Sequence, residues 1–271
     1  MKPLSTLFLS HGSPMHAVSP GEVGDAWQAL GRRLPRPDAV LIASAHWETA
    51  LPMVTGSAKP ETIHDFGGFP RELYDIRYPA SGNPDLASRT VRLLKDAGIT
   101  SGIDGCRGLD HGAWVPLRWM YPEADIPVIQ LSVSPARGTR HHIALGRALQ
   151  PLREAGVLII GSGHATHNLR DWIVNRGHDQ PLRYAVEFAQ WLEQQLGAHD
   201  EDALVHYRDQ APGAVRAHPT EEHYLPLLVA YAAAGSAPAV ERVVGGYENG
   251  ALSRDSFLFG ELRAGAGGGE V

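Results

Sequence analysis

The feature that most constrains this chain is a repeat: a short apolar run, fit for a strand buried on both faces, ends on a small residue followed by a histidine. Residues 4–10 lead into His11, and residues 38–45 lead into His46. Strands of this kind belong in a sheet with helices on both faces, and such sheets bind ligands in the crevice beyond their carboxyl ends. Two imidazoles delivered to one crevice predict a metal site.

The rest of the chain repeats the alternation. Residues 127–133 and 156–160 have the length and β-branched content of buried strands. Between the strands, residues 21–30, 84–97, 139–154 and 181–196 carry helical spacing, and in 84–97 the side chains of Leu86, Thr90, Leu93, Leu94 and Ala97 fall on one stripe. A further helix is predicted over 222–234 with Pro226 in its first turn. Residues 241–247 and 256–259 read as closing strands at the sheet edge. The expected fold is α/β, a single domain with a mostly parallel or mixed central sheet covered by helices on both faces. That domain is expected to span 1–263, with the glycine-rich residues 264–271 forming a disordered tail.

Composition removes several classes of partner. The net charge is -6, and Arg32, Arg33 and Arg36 form a short cluster rather than a long cationic stripe, which argues against nucleic acid. The single cysteine, Cys106, has no intrachain disulfide partner. No apolar run approaches the roughly 20 residues of a membrane-spanning helix, and the N-terminus lacks a secretory pattern. A cytoplasmic protein with no membrane partner is expected.

Among 14 histidines, those with chemistry beside them stand in distinctive local contexts. His11 lies in Leu9-Ser-His-Gly-Ser-Pro-Met15 and His46 in Ala43-Ser-Ala-His-Trp-Glu48. The segment His218-Pro-Thr-Glu-Glu-His-Tyr224 offers His223 as a third ligand, in the first turn of a helix that Thr220 would cap. Glu221 or Glu222 could instead complete a two-histidine, one-carboxylate set, or simply favour the helix N-terminus. Gly161-Ser-Gly-His-Ala-Thr-His-Asn168 follows another strand, so its glycines would bring His164 or His167 into the crevice. Asp110-His111-Gly-Ala-Trp114 places an acid beside a histidine. His64-Asp-Phe-Gly-Gly-Phe-Pro70 combines aromatic, rigid and permissive positions, as a pocket wall or a packing excursion would.

Taken together, Leu9-Ser-His-Gly-Ser-Pro-Met15, Ser44-Ala-His-Trp47, Thr62-Ile-His-Asp-Phe-Gly-Gly-Phe-Pro70, Asp110-His-Gly112, Thr166-His-Asn-Leu169 and His223-Tyr-Leu-Pro226 resemble the class III extradiol dioxygenase superfamily. Within it, the chain is similar to the 4,5-DOPA extradiol dioxygenase-like (LigB-like) family over nearly its whole length. The resemblance implies insertion of both atoms of O2 into a catechol-type ring, DOPA-like or related, at a non-heme Fe(II) centre. It implies His11, His46 and His223 as metal ligands, with His167 as a base near its usual pKa or an additional metal contact. His64 and His111 would bind or orient the catechol and oxygen. Fe(II) is the implied ion for activity and Zn(II) the ion an isolated protein would carry. Small aromatic diol and O2 are the implied partners. Thr220-Glu-Glu222 departs from the proline-containing family version and bears on substrate range. A Zn(II)-dependent hydrolase and a non-catalytic metal-binding scaffold are the alternatives.

Overall fold

The computed structural model describes residues 3–178 and 180–261; the tail expected over 264–271 lies outside the described residues. The strands, in chain order, are β1 (Thr6–Ser10), β2 (Ala39–Glu48), β3 (Met53–Thr55), β4 (Gly102–Asp104), β5 (Val128–Val133), β6 (Val157–Gly163), β7 (Val240–Val244), β8 (Tyr247–Glu248), β9 (Leu252–Ser253) and β10 (Ser256–Phe259). The helices are α1 (Gly21–Arg33), α2 (Arg71–Asp75), α3 (Pro84–Asp96), α4 (His111–Met120), α5 (Gly138–Glu154), α6 (Leu169–Val174), α7 (Arg183–Ala198), α8 (Glu201–Val205), α9 (Tyr207–Gln210), α10 (Ala214–Ala217) and α11 (Leu225–Ala233).

Eight strands form one mixed sheet in the order β4-β3-β5-β2-β6-β1-β10-β7. Its centre, β5, β2, β6 and β1, is parallel. The antiparallel pairs β1–β10, β10–β7 and β3–β5 flank it. This single α/β domain matches the expected class. Both faces are buried, which is why the central strands read as continuous apolar runs rather than alternating ones. Along β1, Leu7 and Leu9 join one core with Trp27, Leu30, Trp114 and Leu117, while Phe8 points into the opposite one. Likewise Val40 and Ile42 of β2 face α1 and α4, whereas Leu41 and Ala43 pack with Leu145 and Leu149 of α5 and Val229 of α11.

Several boundaries differ from the sequence expectation, for local reasons. The strand expected over 241–247 is two, because Gly245 and Gly246 turn the chain between β7 and β8, with φ of +99° at Gly246. Strands β8 and β9 then form a separate hairpin. β10 lies inside the sheet between β1 and β7, so β7 alone takes the edge position expected of both. Helix α11 starts at Leu225, with Pro226 in its first turn as expected, but His223 falls in the turn before it. Thr220 does not cap this helix; its hydroxyl donates to Glu222 at 3.1 Å. Among the described residues, no helix is long and apolar enough to cross a membrane.

Candidate metal centre

Three adjacent parallel strands supply most of the site. The pairing of β1 with β6 sets Ser10 beside Gly163, and that of β2 with β6 sets Ser44 beside Ser162, so the chain segments that follow emerge at one end of the sheet. His11 leaves β1 directly there. His46 is not beyond β2, as the sequence suggested, but within its last residues. The β2–β5 register jumps from Ser44↔Ser132 to Glu48↔Val133, so Ala45, His46 and Trp47 bulge out of the ladder, a device that re-aims side chains beside functional sites.

His223 reaches the cluster because β6 has no side chains where the chain before α11 crosses it. A Cβ on Gly161 would lie 2.0 Å from the Pro226 carbonyl oxygen, and one on Gly163 would lie 2.1 Å from that of His223. The bare strand lets His164 N donate to the His223 carbonyl at 3.0 Å. The glycines of this motif thus serve the approach of His223 as well as the exit of His164 and His167.

His11, His46 and His223 each offer one nitrogen, and these atoms lie within 4.8 Å of one another. The Nε2 atoms of His11 and His46 are 2.9 Å apart. Partners at the outer nitrogens fix which atoms face inward. Pro116, inside α4, has no N–H for the Gly112 carbonyl one turn earlier, and Ser162 Oγ donates to that carbonyl instead, at 2.5 Å. With its proton committed, Ser162 Oγ accepts from His11 Nδ1 at 2.9 Å. Asp65 Oδ2 lies 3.5 Å from His46 Nδ1, and Glu222 Oε1 lies 2.9 Å from His223 Nδ1. The hydrogen bonds hold the His11 and His223 protons outward and turn their Nε2 lone pairs inward, the arrangement of metal-ligating histidines, and the Asp65 carboxylate lies on the same outer side of His46. The Nε2 of His223 is buried with no hydrogen-bond partner among the described residues.

At 2.9 Å the two Nε2 atoms either share a proton or, with both lone pairs inward, need a cation between them. Metal–nitrogen bonds of about 2.1 Å put neighbouring nitrogens of a six-coordinate ion about 3.0 Å apart, so the spacing fits a shared ion. Burial is the main reason these rings stay neutral and able to ligate: it pushes His46 down to about 3, and His11 and His223 well below the ordinary imidazole value, with neighbouring histidines adding to the effect. Asp65 is opposed by burial, but hydrogen bonds from His111 and its charge hold the carboxyl down to about 2.

The other predicted residues divide. His167 stacks on His223 with ring centroids 3.4 Å apart, and its Nδ1 is 4.0 Å from Glu222 Oε1. It is not near its usual pKa; burial, then the charges of surrounding histidines, pushes it well below. His111, the first residue of α4, uses Nδ1 on Asp65 at 2.9 Å, and its ring centroid is 3.9 Å from that of His46. Asp110 does not pair with it but caps α4 by accepting from Ala113 N. His164 Nε2 accepts from Gly12 N at 3.0 Å, so this ring shapes the loop after His11. His64 stands outside the cavity lining, its Nε2 3.1 Å from the Ile76 carbonyl and its ring edge-on to Phe66. Glu221 points away, accepting from Tyr207 OH at 3.1 Å.

The histidines open on a cavity of about 250 Å³ walled by Phe66, Phe69, Leu169, Trp172 and Leu252. A cavity of about 150 Å³ holds a benzene ring, so one substituted aromatic ring fits. Sequence reading missed Asp65, Ser162 and Glu248 as site residues. Asp65 and Ser162 each left a signal, as polar residues inside motifs already singled out, whereas Glu248 left none.

The sequence profile described as the catalytic LigB subunit of aromatic ring-opening dioxygenase matches residues 5–253. The chain is 41% identical over 260 residues to the 4,5-DOPA dioxygenase extradiol of Escherichia coli K12, covering 95% of each. It is 43% identical over 258 residues to the protein of that name from Beta vulgaris, covering 94% of this chain and 96% of the relative. A crystal structure of an uncharacterized Escherichia coli K12 protein superposes with a TM-score of 0.81 at 38% identity, over 95% of this chain and all of the other.

Proposed function

The chain belongs to the LigB family of aromatic ring-opening dioxygenases, and on that premise we propose that it is an Fe(II)-dependent extradiol dioxygenase acting on catechols. The observation that carries the reading is the triangle of inward Nε2 atoms of His11, His46 and His223, with outer nitrogens held by Ser162, Asp65 and Glu222. Neutral imidazoles suit iron, and three protein ligands leave coordination positions for substrate. A ferrous ion held there would supply a common binding point for the aromatic diol and O2 and a path for electrons from the electron-rich ring, which is the reductant, to O2.

The protein side of the reaction follows from the remaining groups. Phe66, Phe69 and Trp172 exclude water and pack the aromatic ring, which lowers the entropic part of the barrier by holding it in one pose. His64, edge-on to Phe66, supports that wall from behind. His167, neutral because buried, takes a proton from a catechol hydroxyl. The imidazolium formed in this way is offset by the Glu222 carboxylate 4.0 Å away, which lets the ring hold the proton and return it to the opened product. His111, oriented by Asp65 through Nδ1, presents its other nitrogen to substrate oxygens.

The test is anaerobic loading with Fe(II), then addition of O2 and a panel of 4-substituted catechols, following oxygen uptake and the visible absorbance of the ring-opened product. Uptake matched to product is expected. Correctly metallated protein that consumes no oxygen across the panel would contradict the reading.

A further inference from the structure

We propose that Glu248 forms a second binding subsite in the same cavity, one that takes a protonated amine on the side chain of the aromatic diol; this deepens the catechol reading and rests on it. Glu248 belongs to the β8–β9 hairpin and lines the cavity; among the described residues it is the only carboxylate in the lining, and no lysine or arginine joins it there. Its side chain is 17% exposed, and Oε1 is pinned by His16 Nε2 at 2.7 Å. A Cβ placed on Gly12 would lie 2.9 Å from Oε1, so the carboxylate abuts the loop that begins at the ligand His11. Oε2 makes no hydrogen bond to protein among the described residues. A largely buried carboxylate with a free oxygen favours a donor, and most of all a charged one.

The charge distribution gives the same answer. Against its burial, the His16 hydrogen bond, with the His16, His164 and Arg254 charges adding to it, holds the Glu248 carboxyl below its ordinary value. Glu248 brings the one acidic group among the described lining residues, with His16 on Oε1 and the Arg254 charge acting from outside the lining, and Oε2 faces no protein cation there. A substrate ammonium pairs with it, whereas a substrate carboxylate meets a like charge and no cation in the lining, so the same residue rejects as well as attracts.

The experiment compares kcat/KM of the iron-loaded enzyme on 4-ethylcatechol, dopamine and 3,4-dihydroxyphenylacetate, which differ in side-chain charge. Wild type is expected to prefer the amine to the neutral diol and the neutral diol to the acid. In Glu248→Gln the amine-to-neutral ratio should fall at least tenfold and the acid should gain relative to the neutral diol. In parallel, anaerobic calorimetry with tyramine and 4-ethylphenol, which lack the second hydroxyl, reads the subsite without ring opening; their affinity ratio should fall to a similar degree. No turnover of any diol together with a tenfold loss in the calorimetric ratio would reject the catechol reading and keep the ammonium subsite. A ratio unchanged by the substitution in calorimetry would overturn the subsite. Should the variant not fold, a wild-type preference for the acid over the amine does so on its own.

Discussion

At the scale of single side chains, the imidazole of His11 is oriented for the proposed role of ligand by residues that stand away from the cluster. Pro116 withholds an N–H from the Gly112 carbonyl, Ser162 satisfies that carbonyl, and the same hydroxyl must then accept from His11 Nδ1, which leaves Nε2 unprotonated. Replacing Ser162 by alanine removes both bonds, leaving a buried carbonyl and a buried ring N–H unpaired and the ring free to change tautomer. We expect Ser162→Ala to weaken Fe(II) binding by about 10- to 100-fold in competition with a chelator, a typical loss for an outer partner of a metal-bound histidine. Unchanged affinity in a folded variant would show that the hydroxyl does not set the His11 tautomer. Histidines announce themselves in a sequence because so few residues do their chemistry. Ser162 and Asp65 are common types whose role exists only once distant segments meet.

At the scale of elements, what could be read was whatever a local pattern encodes. The buried strands leading to His11 and His46 and the amphipathic helix over 84–97, observed as Pro84–Asp96, each declare themselves through their own periodicity and caps, Asn83 accepting from Leu86 N at the start of the helix. The failures lie where tertiary contact decides. The bulge at 45–47 depends on the partner strand β5, which the sequence of β2 cannot reveal. The Gly161-Ser-Gly163 stretch reads as a flexible exit for two histidines, yet its bareness is needed for the backbone of 223–226 to lie against β6. The start of α11 slipped past His223 because Glu221 uses its carbonyl on Tyr224 N and Leu225 N in a turn, and no side chain caps the helix. The histidines of the cluster were nevertheless identifiable before their elements were correctly bounded.

At the scale of the whole molecule, burying neutral histidines makes stability depend on pH. His142, away from the candidate metal centre, donates from Nδ1 to the Gly138 carbonyl at 2.7 Å and accepts at Nε2 from Ser134 N at 3.1 Å. Burial lowers its pKa from 6.5 to about 4. Between those values the unfolded chain binds a proton that the folded chain does not, so this contribution is intact above pH about 6.5 and is lost as pH falls toward 4. One such group accounts for about 2 kcal/mol of destabilisation between pH 7 and pH 5. Urea unfolding of His142→Gln should show a correspondingly smaller loss over that interval than wild type, and an identical loss would mean that His142 titrates normally in the fold.

The sheet is organised so that β1, β2 and β6, adjacent and parallel, deliver their carboxyl ends to one crevice, and the turn before α11 brings His223 across the bare end of β6. Convergence of His11, His46 and His223 on one ion is the claim on which the chemistry rests. The direct measurement is the iron content per chain after anaerobic Fe(II) loading and gel filtration, for wild type and for His11→Ala, His46→Ala and His223→Ala. One ion per wild-type chain is predicted, with substantial loss in each folded variant. Full iron content in any of the three would show that the ion is held elsewhere.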